Sequence, residues 1–165
     1  MTPPGLRPWP GHAKPEAAAM DEFPPVDELI PHARPMLLVD RVVAYAGDHI
    51  RCELHVQEGG PFVRDGRVGA IVAVEWLAQT AAAWVGLHTR GRADAARPGY
   101  LVHMRELALE AEHFEVGAHI LVDVERTSGD PDLGSFAGAI RRADQAGPVV
   151  RATFSVYRGT PLESP

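Results

Sequence analysis

An α+β fold, in which one antiparallel sheet of about six strands curls around a single long central helix, is what the sequence predicts, and three observations carry that prediction. Residues 68–88, VGAIVAVEWLAQTAAAWVGLH, are apolar and alanine-rich without a polar face of any width, the mark of a helix enclosed by the rest of the fold. Strand-like segments joined by short Gly/Pro/Asp turns stand on both sides of it, two before and four after. The chain has 165 residues, 45% of them hydrophobic, which suits one domain with one core and is too little for two.

The elements follow in order. Residues 1–22 are proline-rich with few apolar anchors and read as a disordered tail; Met20 is a candidate start, and the tail holds no apolar run of signal-peptide length. The domain is expected over 23–158, with 159–165 as a C-terminal tail. VDELI at 26–30 predicts one helical turn after two prolines, and MLLVDRVVAY at 36–45 predicts an apolar strand. After the Gly47-Asp48 turn, DHIRCELHVQ alternates: Ile50, Cys52, Leu54 and Val56 form an inner face, and Arg51, Glu53, His55 and Gln57 a wet outer one. EGGPFVRDGR at 58–67 is read as a connection into the central helix. Beyond the loop TRGRADAARPG, strands are predicted over 100–109, 114–127, 134–143 and 148–158, with turns at Gly129-Asp130-Pro131 and Gly147-Pro148. The central helix nears the length of a membrane span, but Glu75 and Gln79 would sit mid-bilayer, where an acidic residue costs about 2.5–3.5 kcal/mol. No membrane span is expected.

Composition narrows the function. With 16 Lys+Arg against 22 Asp+Glu and a net charge of −6, the chain lacks the basic surface that phosphate neutralisation requires, so nucleic acid is not an expected partner. Lys14 is the only lysine; every other cation is an arginine, the side chain suited to planar recognition of phosphate and carboxylate. One cysteine, Cys52, excludes an internal disulfide and a Cys-rich zinc site and fits a reducing, cytoplasmic compartment. The histidines show no HExxH-type spacing, and neither a nucleophile elbow nor a glycine-rich phosphate loop occurs. No metal or cofactor is expected.

Chemistry concentrates on the central helix. Glu75 lies among Val72, Ala73, Val74, Trp76 and Leu77, and Gln79 follows one turn later on the same face. A buried carboxylate either finds a partner such as an arginine or shifts its pKa toward neutrality, the property of a general acid or base at pH 7. His32, in IPHARPM between two prolines, and His103, which interrupts the apolar pattern of YLVHMRELAL, are the two imidazoles that can reach it; each is alternatively a packing or surface residue.

Two segments carry a resemblance. LIPHARPMLLVDRV at 29–42 resembles the opening LPHRxPFLLVDRV of FabZ-type 3-hydroxyacyl-acyl-carrier-protein dehydratases, and VEWLAQTAAAWVG at 74–86 resembles their helix pattern E-x-x-A-Q-x-A. The resemblance covers about residues 25–158 and implies the hotdog fold. In that family a helix glutamate and a loop histidine act together across a dimer interface on the C2 proton and the C3 hydroxyl. Glu75 falls on the glutamate. The histidine loop H-F-P-x-x-P-x-x-P-G is replaced by PFVRDGRVGA at 61–70, shorter and without the histidine, which looks more like the small subunits of aryl-polyene-type clusters.

The resemblance implies dehydration of 3-hydroxyacyl chains on an acyl carrier protein, with the carrier and another hotdog subunit as partners in a homodimer or heterodimer. The missing histidine then comes from His32 or His103, or from the partner subunit. It further implies Glu75 as the acid/base group, Gln79 as its orienting neighbour, and an acyl tunnel lined by Leu77, Ala81, Val102 and Met104. Arg64, Arg67, Arg90, Arg92 and Arg97 flank the helix, a locally basic stretch that offers a dock for an acidic carrier. A thioesterase and a non-catalytic acyl-binding subunit are the alternatives.

Overall fold

A computed structural model describes residues 23–92 and 98–159. The expected N-terminal tail, residues 160–165 of the expected C-terminal tail and Arg97 lie outside the described residues. The element order is α1 (Val26–Leu29), β1 (Arg41–Ala46), β2 (His49–His55), β3 (Val63–Arg64), β4 (Arg67–Gly69), a 3-10 turn (Ala70–Val72), α2 (Ala73–His88), β5 (Tyr100–Leu109), β6 (His113–Glu115), β7 (His119–Gly129), β8 (Leu133–Arg142) and β9 (Val150–Tyr157). Six strands form one antiparallel sheet in the order β1-β2-β7-β8-β9-β5, wrapped on α2. This is the hotdog architecture.

The core lies between the concave face of the sheet and α2. Ile50, Cys52 and Leu54 of β2, Ile120, Val122 and Val124 of β7 and Phe154 of β9 meet Ala73, Trp76, Leu77 and Trp84 of the helix, all buried. Trp76 packs edge-on against Phe114, and the Trp84 Nε1–H donates to the carbonyl of Gly47 (3.1 Å), which ties the helix C-terminal half to the β1–β2 turn. The helix has the length and composition of a membrane span, and in this fold it serves as the core.

Three expectations are corrected. The outer face of β2 is not uniformly wet: Arg51 and Glu53 are both buried. Cross-strand ion pairing explains this, because Arg51 grips Asp123 of β7 with two hydrogen bonds (2.6 and 3.1 Å), and Glu53 is held by Arg41 of β1 and by His119 Nε2 at 2.9 Å. Second, strand pairing begins only at Arg41, not Met36. The N–H groups of Leu38 and Val39 turn instead to a helix side chain, described below. Third, residues 58–69 are not merely a connection. Asp65 (φ +52°) and Gly66 (φ +72°) make the two-residue hairpin turn that requires positive φ at both positions, so β3 and β4 pair and β6 completes a small three-stranded sheet. The expected strand 114–127 is accordingly split at Gly117 into β6 and β7.

Burial alone would push the Glu53 carboxyl up, but the hydrogen bonds from Arg41 and His119 outweigh it and hold the group below its usual range. A depressed folded-state pKa stabilises the protein above the unfolded value near pH 4.3 and loses that contribution as pH falls through the folded value. Glu53→Gln is therefore expected to be less stable than the parent in urea at pH 7, with the gap closing toward pH 3.

α1 approaches α2 closely enough to exclude a side chain. A Cβ on Gly86 would sit 2.3 Å from the Leu29 carbonyl oxygen, a backbone obstacle that cannot rotate away. Alanine gains about 1 kcal/mol of helix propensity over glycine but meets an overpacking cost of about 1–3 kcal/mol. Gly86→Ala is thus expected to lower the urea midpoint and displace the segment leading to His32.

Candidate active site

Gln79 organises the site. It is completely buried, and its amide is fully used: Nε2 donates to the Met36 carbonyl (2.7 Å) and to Glu75 Oε1 (2.8 Å), while Oε1 accepts from the N–H groups of Leu38 (2.8 Å) and Val39 (3.4 Å). Flipping the amide would set donor against donor, so the orientation is determined. One side chain thereby fastens residues 36–39 to the helix and fixes the carboxylate one turn before it.

Glu75 is not buried as the sequence suggests; its side chain is 36% exposed, and its partner is not an arginine. The reason is that the 75/78/82 face of α2 borders an open cavity and not the packed core. His32 arrives from the segment between α1 and residue 36, with Nε2 3.4 Å from Glu75 Oε1. Its Nδ1 is buried with no hydrogen-bond partner among the described residues, and its Nε2 faces the carboxylate at ion-pair distance. Glu75 Oε2 accepts no hydrogen bond among the described residues.

The pair opens on a cavity of about 430 Å³ whose wall runs along α2 through Ala78, Ala82 and Gly86, with Tyr100, Leu101 and Val156 opposite. This volume lies in the range of small-molecule sites, and the small helix residues leave an apolar groove beside the carboxylate.

Glu75, Gln79 and His32 are brought together. His103 is not: it stands exposed on β5 outside this cavity. Val102 is 53% exposed on the same strand, and Met104 is half-buried. Leu77 and Ala81 are fully buried and absent from the cavity wall. The expected tunnel residues lie on the wrong helical face: positions two and six after Glu75 point about 160° and about 120° away from it, whereas three and seven lie within about 60° of it. Leu77 packs instead against β8, where a Cβ on Gly138 would lie 2.4 Å from its Cδ2.

The arginines disperse. Arg64 bonds to the Val63 carbonyl of its own hairpin (2.7 Å), Arg67 is exposed on β4, and Arg90 lies 3.7 Å from Glu28. Arg92 lines a separate cavity. None of these four lines the Glu75 cavity, whereas the buried Arg158, not singled out from sequence, does. Its place at the end of the last strand carries no local signal. Cys52 is a core residue, its thiol pushed up to about 12 by burial.

β5 is a sheet edge, paired with β9 on one side and with no described strand on the other, and it exposes Tyr100, Leu101, Val102, Leu107 and Leu109. An apolar edge of this kind is a ready template for pairing.

The family model of the ApeP-like dehydratases, described as ApeP dehydratase, matches residues 24–164. No curated protein matches the chain. Among solved structures, the dehydratase heterocomplex ApeI:P from Xenorhabdus doucetiae is similar, with 27% identity and a TM-score of 0.78 over 84% of this chain and 93% of that one. Zebra fish thioesterase superfamily member 2 (15% identity, TM-score 0.59, 78% of this chain and 88% of that one) shares the fold. So does an HP0420 homologue from Helicobacter felis (15%, 0.61, 87% and 96%). With the match running from before α1 to beyond β9, the chain belongs to the ApeP-like dehydratase family.

Proposed function

We propose that this chain is the glutamate-bearing subunit of a two-subunit hotdog dehydratase that removes water from 3-hydroxyacyl thioesters on an acyl carrier protein, giving trans-2-enoyl thioesters. The observation that carries the reading is the carboxylate of Glu75, held by Gln79 and His32 at the mouth of an apolar cavity.

The reaction breaks the C2–H and C3–O bonds and forms the C2–C3 double bond. The thioester carbonyl acidifies C2–H, so a base is needed there and an acid at the departing hydroxyl. Glu75 takes the role of the acid: with Oε1 fixed by Gln79 and Oε2 facing substrate, its carboxyl delivers a proton to the C3 hydroxyl, which leaves as water. His32 is a positioning residue: it shares Oε1 with Gln79 and holds the carboxyl rotamer. The C2 base comes from a partner subunit. Residues 61–70, where related dehydratases carry a loop histidine, form the β3–β4 hairpin and hold none. The family match, the similarity to a dehydratase heterocomplex and the apolar β5 edge all support a second subunit.

The test is product analysis. The complex purified from the native host, given a 3-hydroxyacyl thioester, is expected to yield a species lighter by one water with the thioester intact. Release of free thiol without dehydration would replace this reading by a thioesterase; binding without turnover would leave a non-catalytic subunit.

A further inference from the structure

Residues 36–39 belong to no strand, so side chains must satisfy much of their backbone. Gln79 takes the Met36 carbonyl and the N–H groups of Leu38 and Val39. Arg34 and Asp40 hold the same segment from its two ends. The Arg34 guanidinium donates from Nη1 to the Leu37 carbonyl (3.1 Å) and places Nη2 3.7 Å from Asp40 Oδ1. Asp40 Oδ2 accepts the His55 N–H (2.8 Å), with His55 Nδ1 at 3.4 Å, and the Asp40 N–H donates to the Glu53 carbonyl (2.9 Å), next to where β1–β2 pairing begins. Packing alone leaves the segment room to shift. Val39 is fully buried, but Leu37 and Leu38 line a cavity of about 220 Å³ together with Leu54, Val68 and Trp76, and Met36 is 41% exposed.

The position of this segment reaches Glu75 through one amide. A glutamine amide has a donor end and an acceptor end, and the Met36 carbonyl and Leu38 N–H decide which end of Gln79 faces the carboxylate. With both in register, Nε2–H points at Glu75 Oε1 (2.8 Å). A shift of the segment removes that discrimination and lets the amide turn its oxygen toward the carboxylate. A donor stabilises the carboxylate left when Glu75 gives up its proton, and an oxygen opposes it. We propose that Arg34 and Asp40 are positioning residues for Glu75, a clamp that acts through residues 36–39 and the Gln79 amide. The proposal rests on the reading of Glu75 as the acid. Neither residue lines the Glu75 cavity, so neither is placed to touch substrate.

The kinetic test uses Arg34→Gln and Asp40→Asn in the native complex. Arg34 is largely exposed and Asn keeps an oxygen for the His55 N–H, so the fold is expected to persist. Each variant is expected to lower kcat at least about tenfold, the worth of one hydrogen bond to a charged group, with KM within about twofold. In a Gln79→Glu background, which offers Glu75 no amide N–H, the same substitutions are expected to change kcat less than about twofold, because the path through the amide is already cut. A merely structural role gives the same loss in both backgrounds. Equal losses in the two, a loss confined to KM, or an unchanged kcat overturns the proposal. Amide hydrogen exchange on the full chain decides the case without turnover: Leu38 and Val39 are expected to exchange at least about tenfold faster in Arg34→Gln, while Val122 and Ile140 in the sheet keep their rates. Unchanged exchange at Leu38 and Val39 overturns the clamp. If Glu75→Gln abolishes turnover and the clamp variants spare it, this proposal fails and the proposed function stands. If Glu75→Gln spares turnover while exchange quickens in Arg34→Gln, the clamp stands and the proposed function fails.

Discussion

Glu75→Gln is expected to lower the dehydration rate of the native complex at least about 100-fold, the smaller end of what a positioned acid or base contributes. The substitution keeps the volume and an oxygen at Oε1, so Gln79 retains its acceptor and the 36–39 segment stays in place. Substrate binding is expected to change little, with the loss in kcat rather than KM. Undiminished turnover, with the protein folded, would remove Glu75 from the chemistry. Loss of the two subunits' association instead of activity would make it an interface residue.

Gln79→Leu has the largest expected effect on the fold. It strands the N–H groups of Leu38 and Val39 and the carbonyl of Met36. An unsatisfied buried polar group costs about 1–3 kcal/mol, and water can reach part of this set, so roughly 3–5 kcal/mol is the expected loss in urea unfolding. That is a large fraction of the 5–15 kcal/mol typical of a whole domain. Gln79→Glu separates the two halves of the interaction. It keeps the acceptor for Leu38 and Val39 but sets oxygen against the Met36 carbonyl and against Glu75. A loss below about 1 kcal/mol for Leu would show that residues 36–39 are held by other contacts.

The fold was legible because periodicity reports burial. The alternation of β2 and the unbroken apolar α2 each point to one sheet on one helix, and short turns account for the β1–β2, β7–β8 and β8–β9 neighbours, whereas the β2–β7 and β9–β5 pairings join segments far apart in sequence. Glu75, Gln79 and His32 were legible as a set because i,i+4 spacing is local and the two motifs that carry them are specific. What escaped was non-local. Whether Glu75 faces sheet or solvent depends on the rotation of α2 about its axis, and an alanine-rich helix offers little amphipathic contrast to set that angle; the choice of Leu77 and Ala81 as tunnel residues failed on this point. Arg51 and Glu53 were assigned to solvent because alternation cannot see Asp123 and Arg41 across neighbouring strands. The arginines looked clustered because they are close in sequence, yet the cavity at the end of α2 assembles Arg92, Arg126 and Arg158 from three separate segments. The Asp65-Gly66 hairpin is a different omission, since that dipeptide is itself a turn signal.

The proposed function requires Glu75 to act in a site that a second subunit completes. The most direct measurement is the dehydration rate of a 3-hydroxyacyl carrier thioester by the chain alone and by the complex purified from the native host, at equal site concentration. The complex is expected to turn over and the chain alone to run at least about 100-fold more slowly, the contribution of the missing base. A chain that dehydrates alone at the rate of the complex would contradict it, and would make His32 the base within a single subunit.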